Sequence, residues 1–354
     1  MGKIPALFLG LLAYRTWRRP RGAEPAPPAS TPSNHRDVGR GRQARRPREI
    51  PAAGWKDVAL RVKTEMSEDN LSIVAAGVAF YGLLAIIPAI AAAVSIYGLF
   101  VSPDVFQEQF ANVAGFLPPQ ARDVLTEQME RITASADTAL GWAAAVSMLL
   151  ALASAMKGAT ALITATNIAY EEQESRGFIR LYALAFALTL GGVLFVIVSL
   201  TLVAALPAII DLFPLPDAVR TAAKTLRWPL LALFLMLGLA ALYRYAPDRR
   251  EAKWRWISWG AVLATLLWLA GSALFSFYVS NFGSYNETYG SLGAVVILLM
   301  WFYLSAYIVL LGAEFNAETE HQTIRDSTVG PVSPLGERDA YVADTVGRAH
   351  GDQR

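Results

Sequence analysis

Residues 281–318 read NFGSYNETYGSLGAVVILLMWFYLSAYIVLLGAEFNAE, and this stretch decides the class of the protein. It opens with a polar, aromatic and glycine-bearing turn at 283–290, and it then carries no charge from Ser291 to Ala313. At about 1.5 Å per residue, a helix over this run is long enough to cross a hydrocarbon core of about 30 Å. The run ends on a carboxylate, Glu314, and an amide, Asn316. The stretch therefore predicts a membrane span with polar groups at both ends.

The composition of the whole chain supports the same class. Of its 354 residues, 54% are hydrophobic and only 17% are charged, whereas a soluble domain carries about 25% charged residues. We predict an all-α, polytopic membrane protein with six transmembrane helices. Cysteine is absent, which excludes disulfides, thiolate metal sites and a cysteine nucleophile.

Six apolar stretches are long enough to form the spans. They cover about 72–100, 138–166, 181–207, 226–245, 256–279 and 291–316. Pro88 falls near the middle of the first span, where a proline removes a helical hydrogen bond and makes a hinge candidate. The second span repeats Ala151, Ala155 and Ala159 at intervals of four, a pattern that allows close helix approach and predicts an interior position.

The segments outside the spans differ in composition from this body, which we place at 55–320. Residues 1–54 are basic and rich in proline and arginine, so we expect most of them to be disordered and cytoplasmic. The apolar stretch 4–14 is too short to span a membrane. Residues 55–70 have the spacing of an amphipathic helix lying flat on the membrane interface. The segment 321–354 is predicted to be a disordered cytoplasmic tail.

Lysine and arginine in the flanks predict the orientation. They are abundant before the first span and in the loop 246–255, whereas the loop 280–290 contains none. Both termini are therefore expected in the cytoplasm, with the turn 283–290 outside and Glu314 near the inner face. The loop 101–137, which is also outside, has the pattern of two short amphipathic helices that either rest as a surface loop or form a lid.

Polar residues at membrane depth are the candidate functional residues, because each is costly there unless it is paired or faces water. Lys157 and Glu314 lie at similar distances from the inner face in this reading, which suggests an ion pair. Such a pair could fix the helix packing or form a substrate or proton site; alternatively, the side chains could extend to the lipid headgroups. Further candidates on the inner side are Asn167, Glu171, Glu172, Arg176 and Asn316; those at the outer mouth are Tyr285, Asn286, Tyr289 and Gly290.

Three stretches carry a resemblance to a known family. They are AAGVAFYGLLAIIPAIAAAVSIYGL at 75–99, NIAYEEQESRGF at 167–178 and YGSLGAVVILLMWFYLSAYIVLLGAEFN at 289–316. In this order they resemble the YihY/BrkB family of bacterial inner-membrane proteins, once labelled ribonuclease BN. The resemblance implies six transmembrane helices and cytoplasmic termini. It implies no settled activity, although family members are linked to serum resistance and to movement of lipid or lipopolysaccharide precursors.

Two functional hypotheses follow from these observations. The first is a transporter or flippase for a lipid or another amphiphilic envelope molecule; the second is a non-transporting scaffold that supports envelope integrity. We expect no enzymatic activity, because a zinc-dependent ribonuclease needs a His/Asp cluster and His35, His321 and His350 all lie outside the predicted spans. No metal or cofactor is predicted. The expected partners are membrane lipids and further copies of the chain, with no specific nucleic acid.

Overall fold

The described part of the chain is almost entirely helical. The computed structural model describes residues 39–98, 142–202, 206, 210, 213, 216–282 and 292–349. A 3₁₀ turn, Pro47–Glu49, precedes eight helices: α1 (Ala52–Glu68), α2 (Leu71–Gly98), α3 (Trp142–Ala169), α4 (Phe178–Leu200), α5 (Asp217–Tyr245), α6 (Trp254–Phe282), α7 (Leu292–Glu320) and α8 (Tyr341–Asp344). Within these residues there is no β-strand, only an isolated bridge between Ala252 and Thr328.

Four of the helices are long and apolar enough to cross a membrane. The candidate spans are Phe178–Ser199, Asp217–Tyr245, Trp254–Ser280 and Val295–Glu320. The helices α2 and α3, with 28 residues each, coincide with the first two predicted spans. The all-α fold class and the multi-span membrane character are therefore confirmed.

The fourth span begins earlier than its sequence suggests. The helix α5 starts at Asp217, whereas the prediction starts at about residue 226 near Pro229. Pro229 instead lies inside the helix. The preceding residues, AVRTAAKTLRW, are mostly good helix formers, so the chain continues as a helix on both sides of the proline.

The helix α7 contacts more of the bundle than its neighbours do. It packs against α1, α2, α3, α6 and α8. Its small residues let α6 approach closely: a Cβ atom added at Gly260 would overlap the carbonyl oxygen of Gly312. The stretch that decides the class of the protein thus also forms the centre of its packing.

The outward faces of α4, α5 and α6 are apolar. Large side chains such as Leu194, Ile197, Leu237, Leu266 and Phe277 are more than half exposed. A water-soluble protein rarely exposes so large an apolar area. These faces are instead suited to the hydrocarbon of a bilayer.

One end of the bundle, which we call the capped end, collects several polar segments. The segment 39–51, the helix α1, the loops 170–177 and 246–253 and the tail 321–349 all meet there, as their mutual hydrogen bonds show. Both ends of the described chain therefore lie on the same side of the bundle. The helix α1, expected to lie flat on the membrane interface, packs against the end of α7, where Trp55 stacks on Phe315 with ring centroids 5.7 Å apart.

The tail 321–349 is folded, and the prediction that it is disordered is wrong for these residues. The Gln322 side chain donates to the carbonyl oxygen of Arg40 at 2.8 Å, and the N–H of Ile324 donates to that of Arg42 at 2.9 Å. Val342 joins the main apolar core. The polar composition does not lead to disorder because hydrogen bonds with the amino-terminal segment satisfy many of its polar groups. Residues 39–54 of the basic extension are folded by the same contacts.

Several predicted features lie outside the described residues. They are the apolar stretch 4–14, the two amphipathic helices of the loop 101–137 and the outer-mouth residues Tyr285, Asn286, Tyr289 and Gly290. The backbone of α2 is helical through Pro88, and its role as a hinge stays a prediction.

Candidate functional site

Glu314 is the centre of a group of carboxylates at the capped end. Only 2% of the residue is exposed, and its buried Oε2 atom accepts no hydrogen bond within the described part of the chain. The charges that act on it most strongly are all acidic: Glu318, Asp69, Glu65 and Glu171. We call these five residues the acidic cluster. They come from α1 and its cap, the end of α3, and α7.

Two residues with left-handed backbone conformations help to assemble the acidic cluster. Asn70 has a φ of 51° and Glu171 a φ of 56°, a region that residues other than glycine seldom occupy. The turn at Asn70 joins α1 to α2, and both helices contact α7, which keeps Glu65 and Asp69 beside Glu314. The turn at Glu171 ends α3, where its N–H donates to the carbonyl oxygen of Ile168 at 3.0 Å.

Glu318 has the partners that Glu314 lacks. Nε of Arg61 donates to the Glu318 carboxylate, and Nη2 of Arg61 donates to its carbonyl oxygen at 3.0 Å. Nδ1 of His321 lies 3.4 Å from the other carboxylate oxygen. Glu314 and Glu318 lie one helical turn apart on α7, but only Glu318 has basic partners among the described residues.

Like Glu314, Glu65 has a buried carboxylate oxygen, Oε2, without a hydrogen-bond partner among the described residues. Burial, followed by the charges of Glu318 and Glu171, raises the pKa of Glu65 from 4.5 to about 7. Glu65 therefore changes its charge near neutral pH, at the edge of the acidic cluster.

The raised pKa of Glu65 predicts a pH dependence of stability. The folded protein binds this proton more tightly than the unfolded chain, so the stabilisation is complete below pH 4.5 and is lost as the pH rises through about 7. We expect Glu65→Gln to flatten the fall in unfolding free energy across that window by about 1–3 kcal/mol. Thermal unfolding of the purified protein over a pH series measures the effect.

The control for this experiment is Asp217→Asn, because 98% of the Asp217 side chain is exposed. It should keep the wild-type pH profile. An unchanged slope in Glu65→Gln would contradict the assignment. Some slope will remain in any case, because burial also raises the pKa of Glu172 to about 7.

Asn316 joins α7 to α6. Its Oδ1 atom accepts a hydrogen bond from the backbone N–H of Gly260 at 2.7 Å, although that N–H belongs to a helix. Its Nδ2 atom is buried without a partner among the described residues. The contact assigns Asn316 a role in helix packing, and its predicted role in transport stays untested.

The loop 170–177 is tied to the loop 246–253 by a hydrogen-bond network. Asn167 accepts from the N–H of Asp248 at 2.7 Å and donates to Glu174 at 3.0 Å. Arg176 pairs with Glu174 at 2.7 Å and donates to the carbonyl oxygen of Ala246 at 2.8 Å. The predicted residues Asn167 and Arg176 therefore connect two loops of the capped end.

Asp248 anchors this network, and it was not predicted. Burial would raise its pKa, but hydrogen bonds from the hydroxyl and N–H of Ser175, with the charge of Arg176, lower it. The two Ser175 bonds measure 2.7 and 2.6 Å. Glu172, which was predicted, instead accepts from the N–H of Tyr341 in the tail at 2.8 Å.

Lys157 is exposed on α3 and does not pair with Glu314, so the predicted ion pair is wrong. No hydrogen bond or ion pair of either side chain is found among the described residues. Lys157 precedes Asn167 by ten residues, or about 15 Å of helix, whereas Glu314 lies near the final residues of α3. Thr160 and Thr164 follow Lys157 at helical spacing, and Thr164 is also exposed. We call these three residues the α3 stripe.

Glu65, Asp69 and Glu318 were not among the predicted site residues, although their spacing in the sequence indicates that they share helix faces. Glu314 and Glu318, like Glu65 and Asp69, are separated by four residues, which places each pair on one face of a helix. The residues of α1 were assigned to the membrane interface, so their acids were not compared with those of α7. In the described residues, no group of three or more His, Asp or Glu side chains is placed to hold a metal ion.

The long apolar helices, the exposed apolar faces and the polar capped end define a multi-span helical membrane protein. The comparison with family models gives a more specific result. The model of the family described as virulence factor BrkB matches residues 62–334, which include the four candidate spans. The chain belongs to this family.

Individual relatives agree with this membership. A UPF0761 membrane protein of Aeromonas salmonicida is 31% identical over 269 residues, covering 72% of this chain and 86% of that protein. A protein of Bacillus subtilis named putative ribonuclease-like protein YfkH is 36% identical over 176 residues, or 48% of this chain. That match spans 63% of YfkH, and a match to a UPF0761 membrane protein of Tolumonas auensis spans 26% of that relative. No solved structure matches the chain.

Proposed function

We propose that this protein is a six-span bacterial inner-membrane protein that moves a lipid or another amphiphilic envelope molecule across the bilayer. In support of six spans, α2 and α3 are as long as the four candidate spans, and successive helices begin and end alternately at the capped end. The capped end carries basic residues in the segment 39–51 and the loop 246–253. By the positive-inside rule, we place it and both termini in the cytoplasm.

The observation that carries the transport proposal is the exposed cation on α3. Lys157 lies about 18 Å from the end of α3 at Ala169 and about 22 Å from its start at Trp142, near the middle of the helix. A cation at this depth costs about 2.5–3.5 kcal/mol on insertion scales. No acidic side chain of the described residues offsets that cost.

An anionic lipid headgroup could neutralise the charge of Lys157 while the side chain stays exposed on the surface of the bundle. The α3 stripe presents the ammonium and two hydroxyl groups in a row along the helix. The Thr160 hydroxyl donates only to its own helix, at 2.9 Å to the Lys157 carbonyl oxygen, so its oxygen can still accept a hydrogen bond. A phosphate could contact the stripe while the acyl chains stay in the surrounding bilayer. This geometry favours an amphiphile over a water-soluble substrate.

Liposome reconstitution tests the proposal. We expect the wild-type protein to speed the movement of a fluorescent phosphatidylglycerol between leaflets, measured by chemical quenching of the outer leaflet. Lys157→Met keeps the length of the side chain but removes its charge, and we expect it to reduce the rate about tenfold or more, because a hydrogen bond to a charged group contributes about 1.5–3 kcal/mol. Lys56→Met, at an exposed position on α1, is the matched control and should retain the wild-type rate.

Two results would overturn the proposal. The first is a wild-type protein that leaves the lipid distribution at the protein-free rate, and the second is a Lys157→Met variant as active as wild type. The first would favour the non-transporting scaffold. Lys157 and Glu314 form no ion pair with any described residue, which argues against that alternative, because a purely structural polar pair would satisfy itself.

We also propose that the chain is not an enzyme, and that its partners are membrane lipids and other copies of itself. The word ribonuclease comes from the name of the relative YfkH. In the described residues, no group of three or more His, Asp or Glu side chains is placed to hold the metal ion that metal-assisted hydrolysis needs. Incubation of the purified protein with RNA and divalent cations tests this; cleavage that tracks the protein would contradict it.

A further inference from the structure

Within the part of the chain that the structure describes, the Glu314 side chain has no hydrogen-bond or ion-pair partner, although it is almost fully buried. Its Oε2 atom accepts no hydrogen bond in the described part of the chain, and no cation pairs with it. A buried ionised carboxylate needs a partner, because its desolvation is otherwise uncompensated. Glu314 therefore needs a cation that is not a side chain of the described residues.

The groups that face Glu314 from the neighbouring elements are mostly acidic. The helix α1 and its cap contribute Glu65 and Asp69, the residues after α3 contribute Glu171 and the buried phenol of Tyr170, and α7 itself contributes Glu318. The cations nearby are already engaged: Arg61 of α1 and His321 of the tail contact Glu318. From α6, the closest polar contact on this part of α7 is the uncharged N–H of Gly260, which binds Asn316.

A proton fits this site better than a metal ion does. A metal ion such as Ca²⁺ needs six or more oxygen ligands that converge at about 2.3–2.6 Å. No such group of acids is present among the described residues. A proton needs a single oxygen, and its binding converts the carboxylate into a neutral acid that tolerates burial.

We propose that Glu314 is a proton-binding site that exchanges its proton with water at the capped end through the Glu65 carboxylate. The proton passes from water to Glu65 and then to Glu314, and it returns to water by the reverse steps, so that Glu314 alternates between charges of 0 and −1. Glu65 suits a relay because it is partly exposed and has a buried oxygen without a partner. Its pKa of about 7 lets it accept and release a proton near neutral pH.

The use of this proton to drive lipid movement rests on the proposed function, but the proton site itself does not. Infrared difference spectroscopy therefore tests the site without any transport assay. We expect purified full-length protein at neutral pH to show the C=O stretch of a protonated carboxylic acid that disappears in Glu314→Gln. The same band should shift in D₂O and lose intensity as the pH rises. Glu65→Gln should slow the D₂O shift without removing the band.

Two further variants make the result specific. Asp217→Asn, at an exposed position, should leave the band unchanged. Glu314→Asp keeps a carboxyl group and should move the band rather than remove it. If Glu314→Gln does not fold, the shift of the band in Glu314→Asp serves as the test instead.

The outcomes separate the proton site from transport. A wild-type band that does not depend on Glu314, or one that neither exchanges in D₂O nor titrates, would overturn the proton site. A titrating Glu314 band in a protein that moves no lipid would overturn the proposed function alone. Transport that requires Lys157 but is unaffected by Glu314→Gln and by a pH gradient would overturn the coupling alone.

Discussion

Replacing Glu320 with alanine is expected to lower the free energy of unfolding by about 3–5 kcal/mol, because the change leaves a buried arginine without its counter-ion. Nη2 of Arg249 lies 2.8 Å from Oε2 of Glu320, and their side chains are only 2% and 0% exposed. The same Glu320 oxygen accepts from the Ser327 hydroxyl at 2.7 Å. The Arg249 guanidinium also lies 5.1 Å from the ring centroid of Tyr170. Thermal unfolding in detergent, followed by tryptophan fluorescence, measures the loss.

The exposed pair between Asp217 and Arg220, at 3.3 Å, supplies the control for that experiment. Asp217→Ala should cost at most about 1 kcal/mol, as surface ion pairs do. The double variant Arg249→Met with Glu320→Leu should recover part of the loss, since it removes both buried charges. A Glu320→Ala protein as stable as Asp217→Ala would show that the pair is not a buried ion pair in solution.

Replacing Gly260 with valine is the second change with a large expected effect. A Cβ atom at Gly260 would overlap the backbone oxygen of Gly312 and the amide group of Asn316. The contact is equally close from the side of α7, because a Cβ atom at Gly312 would overlap the Tyr243 hydroxyl and the Ala264 side chain. We expect a loss of about 3 kcal/mol or more, since overpacking costs about 1–3 kcal/mol and occasionally more.

Gly191→Val is the matched control, because an added Cβ at Gly191 meets nothing within 4 Å. Both glycines lie inside apolar helices, so the difference between the two variants isolates the contact between α6 and α7. Gly191→Val should retain wild-type thermal stability within about 1 kcal/mol. Equal losses in the two variants would mean that the cost arises from valine in a helix rather than from close packing.

The spans could be predicted from the sequence because their signal is local. The length of an uncharged run and the flanking charges depend on the bilayer and not on any other helix. The contacts between helices have no comparable signal. The alanine repeat at 151, 155 and 159 indicates close approach on α3, but no such repeat indicates the close backbone contact between Gly260 of α6 and Gly312 of α7.

The polar site could be predicted only in part. Glu314 was identified because charge is rare inside an apolar run. The predicted ion pair between Glu314 and Lys157 was wrong. A count of residues from the end of a helix gives neither the direction in which a side chain points nor the position of one helix along the axis of another. The Arg249–Glu320 pair was missed because both residues lie in segments with many charges, where the solvated state is the ordinary expectation.

The tail shows a limit of compositional reasoning. Residues 321–349 contain few large apolar side chains, which is the signature of disorder for a segment considered alone. The tail folds because other segments supply its partners: the Thr323 hydroxyl contacts the carbonyl oxygens of Arg42 and Ala44 at 3.2 and 2.8 Å. Those partners lie about 280 residues away in the chain, beyond any local pattern.

This joining of the two chain ends has a consequence for biosynthesis. A ribosome makes the segment 39–51 long before it makes the residues that bind it, and α7 is made after the other described long helices. The earlier helices are therefore made before their central neighbour, and the capped end can form only after residues 321–349 have been made. A nascent chain stopped before residue 321 would leave the backbone carbonyls of Arg40 and Arg42 without the donors that they have in the finished protein. Synthesis of the segment 321–349 is thus the step that completes the capped end.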